Sequence, residues 1–139
     1  MTPIYAQDHD FSKFNVLAVD DVPLNLLLVT KMLSKFNFQI RTAANGKQAL
    51  DAVAELKPDL ILLDLMMPEI DGFEVIRRLR ANPETADIQI VILSALNSNE
   101  DVVKGFNLGA NDFIMKPIIM EKLLTCVINQ LRIAGANKQ

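Results

Sequence analysis

The sequence predicts an α/β fold, a doubly wound five-stranded parallel sheet of order 2-1-3-4-5 built from five βα units. Three observations carry this expectation. Short, mainly apolar runs at 14–19, 60–63, 88–93 and 113–115, and a strand at 38–44 anchored mainly by Ile40, alternate with segments whose apolar residues recur at helical spacing. The third run, Leu60-Ile61-Leu62-Leu63, has no polar residue at all, the habit of a strand covered on both faces. Strict alternation of strand and helix implies parallel pairing, right-handed crossovers and helices on both sides of the sheet.

Taken in order, residues 1–13 are polar and aperiodic and read as a flexible lead-in, which includes the only histidine, His9. Phe14–Val19 forms the first strand and ends in Asp20-Asp21. Pro23 suits the first turn of a helix, where a missing N–H costs nothing. That helix is expected to reach Phe36, with Leu26, Val29, Leu33 and Phe36 on one stripe widened by Leu28 and Met32. Phe38–Ala44 is the second strand. Asn45-Gly46 starts the second helix, whose inner face is Ala49, Val53 and Leu56 and which Pro58 ends. After the third strand, the third helix starts near Gly72, with Phe73, Ile76 and Leu79 inward and Arg77, Arg78 and Arg80 outward; Asn82-Pro83 breaks it. Ile88–Leu93 is the fourth strand, followed by Ser94-Ala95. Ser98-Asn99-Glu100-Asp101 resembles a capping box for the fourth helix. This helix looks weak: Gly105 in its interior costs about 1 kcal/mol against Ala, and its apolar face is mainly Val102, Val103 and Phe106. Gly109 ends it. Phe113–Met115 is the fifth strand, before Lys116-Pro117, and the fifth helix spans about Ile119 to Ile133. The domain proper is thus expected at 14–133, with a polar tail at 134–139.

Composition narrows the function. At 139 residues the chain is one domain with room for a substantial core. A net charge of −3 and a pI near 5.1 argue against nucleic-acid binding through a basic face. No apolar run is long enough to span a membrane, and the first residues lack the pattern of a signal peptide. The single cysteine, Cys126, fits a reducing compartment, so the cytoplasm is the expected location.

The polar residues at the strand exits are the informative ones. Strand one ends in Asp20-Asp21, strand three in Asp64, strand four in Ser94 and strand five in Lys116. In a sheet of this order the exits of strands one and three flank the topological switch point, where ligands bind. Asp20, Asp21 and Asp64 then converge, and their repulsion calls for either a proton or a cation. Oxygen-only ligands on a water-accessible edge suit Mg²⁺. A carboxylate beside Mg²⁺ can attack phosphorus, with Lys116 and Ser94 contacting the phosphoryl oxygens. Asp and Ser also favour helix N-caps, which alone would explain one or two of these positions. N-capping does not explain Lys116 before a proline, nor two adjacent aspartates.

These residues resemble the receiver domain of two-component response regulators. The pieces are Asp20-Asp21, the stretch Asp64-Leu65-Met66-Met67-Pro68-Glu69-Ile70-Asp71-Gly72, Ser94-Ala95, and Gly109 through Pro117. The resemblance covers residues 14 to about 133 and implies a flavodoxin-like (βα)5 fold. It implies that Asp64 is the phosphoacceptor and that Asp21 and Asp64 ligate Mg²⁺ directly. Asp20 would act mainly through water, and the backbone carbonyl of Met66 would complete the protein ligands. Lys116 would contact the phosphoryl group across a cis bond to Pro117. Ser94 would be the switch hydroxyl and Phe113 the aromatic that turns with it. The donor would be a phosphohistidine on a histidine kinase or histidine phosphotransfer domain. Met66 and Leu96, at positions that modulate hydrolysis in the family, are apolar and imply slow self-dephosphorylation. Pro23 and Asn25 resemble receivers of hybrid kinases.

The expected function is therefore a phospho-accepting signalling switch, not an enzyme with an external substrate. Phosphorylation would remodel the helix 4–strand 5–helix 5 face, a surface for an output partner or homodimer. The output would lie in another protein or in a missing C-terminal domain, with no direct nucleic-acid or membrane binding. The alternative is a Mg²⁺-dependent phosphohydrolase with an aspartyl nucleophile, but its usual second acid, two residues after the nucleophile, is Met66 here. A flavin-binding protein of similar topology would want a phosphate loop after strand one, where Asp20-Asp21 would repel it.

Overall fold

The computed structural model describes residues 11–95 and 99–137. Its elements in order are β1 (Asn15–Val19), α1 (Pro23–Leu33), β2 (Gln39–Ala43), α2 (Gly46–Glu55), β3 (Leu60–Leu63), α3 (Gly72–Ala81), β4 (Gln89–Ser94), α4 (Asn99–Leu108), β5 (Asp112–Met115) and α5 (Met120–Asn137). The five strands pair in parallel, as the alternation predicts, and in the expected order β2-β1-β3-β4-β5.

Period-two alternation in the buried strands splits the core into two layers. Val16, Ala18, Leu60, Leu62, Val91 and Leu93 face α1 and α5, where Val29, Leu33, Leu123, Leu124, Val127 and Leu131 cover them. Leu17, Val19, Ile61, Leu63, Ile90 and Ile92 face the other way, against Ala49 and Val53 of α2 and Val75, Ile76 and Leu79 of α3. The register places Val19 beside Leu63, so the next residue of each strand, Asp20 and Asp64, emerges at one edge. The Asp64 N–H donates to Val19 O at 3.0 Å and the Asp20 N–H to Ala43 O at 3.2 Å, which extends the ladder to the carboxylates themselves.

Several elements depart from the periodicity. α1 stops at Leu33, three residues short of Phe36, because Ser34 turns back: its N–H donates to Thr30 O and Lys31 O and its hydroxyl to Lys31 O. Phe36 joins Phe11, Phe14 and Phe38 instead, with ring centroids 5.9 to 6.4 Å apart. Phe11, in the stretch expected to be a flexible lead-in, is 4% exposed and donates its N–H to Asn37 Oδ1. Leu28 and Leu56, expected to face inward, are exposed; Leu56 sits at the extended C-cap of α2. Val103 and Phe106, expected on the inner face of α4, point to solvent, and Gly105 takes the buried position. α5 runs past Ile133 to Asn137. His9, Leu96 and Ser98, and with Ser98 the capping box, lie outside the described residues.

Arg80, expected outward, is half-buried. Its guanidinium donates to the carbonyls of Ala86, Ile88 and Gly109 and to Asn111 Oδ1, at 2.6 to 3.0 Å. Burial pushes its pKa below the usual guanidinium value, and the four acceptors compensate for lost water.

The aromatic cluster lies outside the sheet register, yet it buries a ring from before β1. Phe11→Ala is expected to lower the unfolding free energy by about 3 kcal/mol in a urea titration, through lost burial and a residual cavity. A loss below about 0.5 kcal/mol, the range of surface substitutions, would mean that this segment is not part of the folded unit.

Candidate functional site

Four strand exits build the site. Asp20 follows β1 and is 6% exposed; its Oδ1 accepts the Val22 N–H at 2.9 Å, an Asx turn that swings the chain into α1. Asp21 beside it is exposed. Asp64 follows β3, is 6% exposed, and its Oδ1 accepts the Met66 N–H at a long 3.4 Å. Lys116 follows β5 and brings its ammonium to 2.9 Å from Asp20 Oδ2 and 3.8 Å from Asp64 Oδ1. Its peptide bond to Pro117 is cis. Ser94 ends β4 fully buried, and its carbonyl accepts the Lys116 N–H at 2.8 Å, which ties the two exits together. Phe113 pairs with Ile92 in the ladder and packs, partly buried, on the side of the sheet that α3 and α4 cover.

The loop after β3 is folded tightly onto its own strand. The Gly72 N–H donates to Leu65 O at 3.0 Å. A Cβ at Gly72 would lie 2.6 Å from Asp64 O and 2.8 Å from Leu65 Cα, so only glycine lets α3 begin this close to the carboxylate. Glu69 takes a positive φ of 65° at the turn, and Asp71 caps α3 by accepting the Glu74 N–H at 2.9 Å.

One carboxylate oxygen from each of Asp20, Asp21 and Asp64 lies within 4.8 Å of the others. Burial, first of all, holds the Asp64 carboxyl above its ordinary value; Lys116 opposes this, and Asp20 and Asp21 add to it by repulsion. One ammonium therefore does not neutralise the cluster. Hard oxygen donors, two buried and one exposed, fit a small divalent cation that keeps part of its water shell. Met66 is 63% exposed, and its apolar side chain cannot deliver a proton to a leaving group.

Sequence reasoning brought Asp20, Asp21, Asp64, Ser94 and Lys116 to one edge. It did not anticipate that Lys116 rests closer to Asp20 than to Asp64. It also missed a cavity of about 260 Å³ beside that pair, lined by Asn25, Leu28, Met32, Leu93 and Ile118 among others. The signal was the polar Asn25 within the apolar first half of α1. Cys126 plays no part in this edge; burial, then Asp112 nearby, pushes its thiol pKa up to about 12 and leaves it a poor nucleophile.

An acidic pocket with one lysine, at the switch point of a five-stranded parallel sheet, defines a phospho-accepting signalling domain. Comparison with known proteins agrees: residues 16–128 match the response regulator receiver domain, and the chain belongs to that family. It is 39% identical over 117 residues to the DNA-binding dual master transcriptional regulator RpaA of Synechocystis sp., covering 84% of this chain and 48% of that protein. It is 42% identical over 103 residues to the response regulator PleD of Caulobacter vibrioides, covering 74% of this chain and 23% of that protein. The chain thus spans half or less of these curated relatives. Among solved structures, the receiver domain of a signal transduction histidine kinase from Syntrophus aciditrophicus superposes with a TM-score of 0.79 at 32% identity, over 86% of this chain and 90% of that one. The chain is a phospho-accepting switch of the two-component type, and the phosphohydrolase alternative is not favoured. No helix among the described residues is long and apolar enough to cross a membrane.

The raised Asp64 pKa has a stability consequence. The folded state holds the Asp64 proton more tightly than the unfolded chain, so Asp64 costs stability as pH rises from the ordinary carboxylate value of 3.8 through its raised value. In metal-free buffer at about pH 7, Asp64→Asn is expected to unfold at a higher urea concentration than the wild type, with the gap closing below the ordinary value. An Asn variant less stable than wild type at about pH 7 would contradict the assignment.

Proposed function

We propose that Asp64 is the phosphoacceptor and that Asp20, Asp21, Lys116 and Ser94 serve its phosphorylation. The observation that carries this reading is the convergence of three carboxylates and one ammonium at the exits of β1, β3 and β5. A carboxylate oxygen of Asp64 attacks the phosphorus of a phosphohistidine on a histidine kinase or histidine phosphotransfer domain. The P–N bond breaks, its electron pair stays on the imidazole nitrogen, which is protonated, and Asp64 becomes an acyl phosphate. Asp21, Asp64 and the Met66 carbonyl, with Asp20 acting through water, would hold Mg²⁺, which would supply the positive charge that offsets repulsion of the incoming phosphoryl group. Lys116 moves its donors from Asp20 to a phosphoryl oxygen, and the Ser94 hydroxyl takes another.

Leu24, Leu27 and Leu28 of α1 and Ile119 before α5 are exposed near the cavity beside Asp20 and Lys116, an apolar surface suited to the donor protein. On the output side, Ser94 drawn toward the phosphate frees space for Phe113, and α4 responds. Val103, Phe106 and Met115 are exposed on the α4–β5–α5 face and suit an output partner or a second copy of the chain. The chain itself turns over no external substrate in this reading, and a kinase-supplied phosphohistidine places the reaction in the cytoplasm.

Incubation with Mg²⁺ and acetyl phosphate is expected to add one phosphoryl group by intact mass, labile to base and absent in Asp64→Ala. With Met66 exposed and apolar, no side chain at that position orients a hydrolytic water, so the adduct is expected to decay slowly. Continuous release of phosphate from monoesters, or an adduct that survives Asp64→Ala, would overturn the reading.

A further inference from the structure

We propose that Arg80 and Asn111 are positioning residues for the phosphorylation of Asp64: they fix the register of β5 on β4 and so set where Lys116 falls. Their role rests on the phosphoacceptor reading above and deepens it. β5 is a short edge strand whose own side chains hardly define its register. Of its four residues only Ile114 is buried; Asp112 and Phe113 are half-buried and Met115 is 53% exposed. Strands so weakly patterned are prone to slip. β3 and β4, by contrast, are buried at every position. A slip of two residues, the smallest that keeps each side chain on its face, would shift Lys116 about 7 Å along the sheet. Its ammonium stands 2.9 Å from Asp20 Oδ2 and 3.8 Å from Asp64 Oδ1, so the displacement exceeds both distances.

Polar groups at the start of the strand supply the register that its side chains do not. The Asn111 N–H donates to Ile90 O at 2.8 Å, and Asn111 Oδ1 accepts the Ile90 N–H at 2.7 Å. One residue thus engages both backbone groups of Ile90, just before the ladder pairs Val91 with Asp112. Arg80 donates to the same Oδ1 at 2.9 Å and to Gly109 O at 3.0 Å, and its Nη1 reaches Ala86 O and Ile88 O at 2.9 and 2.6 Å. The guanidinium therefore spans the loops that enter β4 and β5 and holds them together. Gly109 leaves room for it. A Cβ there would lie 2.9 Å from both Arg80 Cγ and Nε, and its φ of +114° also favours glycine. Four acceptors around one planar fork call for arginine rather than lysine. At the far end of β5 the Lys116 N–H donates to Ser94 O at 2.8 Å. Only β5 itself lies between these two attachments, so the start of the strand fixes where the lysine emerges.

Two measurements on the full chain test this: phosphorylation by acetyl phosphate in excess Mg²⁺, followed by intact mass, and amide hydrogen exchange without phosphate or metal. Asn111 is exposed, so its substitution leaves the core intact. Asn111→Ala is expected to slow phosphorylation about tenfold, the scale of one lost charge-assisted hydrogen bond. The Lys116 amide is expected to lose protection by a similar factor, while the Asp64 amide, bonded to Val19 O, keeps its own. Asn111→Asp retains an acceptor for both Ile90 and Arg80 and is expected to match the wild type. Arg80→Lys, which lacks the fork, is expected to resemble Asn111→Ala. A wild-type rate and wild-type Lys116 protection in Asn111→Ala would overturn the proposal. So would an equal loss of protection at Asp64, the mark of general destabilisation, or an Asn111→Asp variant as slow as Asn111→Ala. A wild-type chain that acetyl phosphate leaves unmodified would instead sink the phosphoacceptor reading, and the exchange measurement would still decide whether Asn111 holds β5.

Discussion

Two buried carboxylates facing each other across adjacent strand ends are the constraint on which the rest of this structure depends. β1 and β3 pair in register, so Asp20 and Asp64 leave the sheet side by side, and Asp21 adds a third charge at the surface. Apolar strands covered on both faces deprive this edge of the water that would screen them. Lys116 is the only cation that the described residues bring into the cluster, and it divides itself unequally between Asp20 and Asp64. The site is left short of positive charge by its own geometry. In the proposed reaction a divalent cation and a phosphoryl group would together bring the missing charge and an acceptor for Lys116.

The two-layer core explains how such a small site can have a distant effect. Leu93 and Val91 point toward α1 and α5, whereas Ile92 and Phe113 point toward α3 and α4. The proposed change at Ser94 and Phe113 would therefore be felt mainly on the side of the sheet where α4 lies. Close-packed interiors transmit such changes as discrete rearrangements rather than continuous strain. The exposed apolar residues of α1 and Ile119, which we propose meet the phosphodonor, lie by contrast beside the layer that α1 and α5 cover.

Much of this was legible in the sequence because it depends on short-range pattern. Uninterrupted apolar runs marked the buried strands, and a polar residue straight after each run had to lie at the carboxyl edge. Asp64 and Lys116 could be placed together although 52 positions separate them, since topology fixes where each strand ends. What was not legible depends on contacts between elements distant in sequence. Arg80 looks like any solvated arginine at the end of a helix; its acceptors, three carbonyls and Asn111 Oδ1, lie in the two loops before β4 and β5, which no side-chain pattern records. Gly105 looks like a helix breaker because propensity counts its flexibility and not the space that Ile92 denies to a Cβ. Phe11 stands in a polar stretch, and its burial requires Phe36, which itself looked like the end of a helical stripe. Lys116 leaning toward Asp20 is a matter of ångströms among residues that the strand exits already bring to one edge.

The central claim is that the carboxylate cluster and a divalent cation together hold a phosphoryl group on Asp64. Fluorine NMR of the protein with beryllofluoride, a phosphoryl mimic, addresses it most directly. A slowly exchanging bound fluorine signal is expected that requires Mg²⁺, disappears on chelation and is lost in Asp64→Asn. A bound signal of equal strength without Mg²⁺, or one that persists in Asp64→Asn, would contradict it.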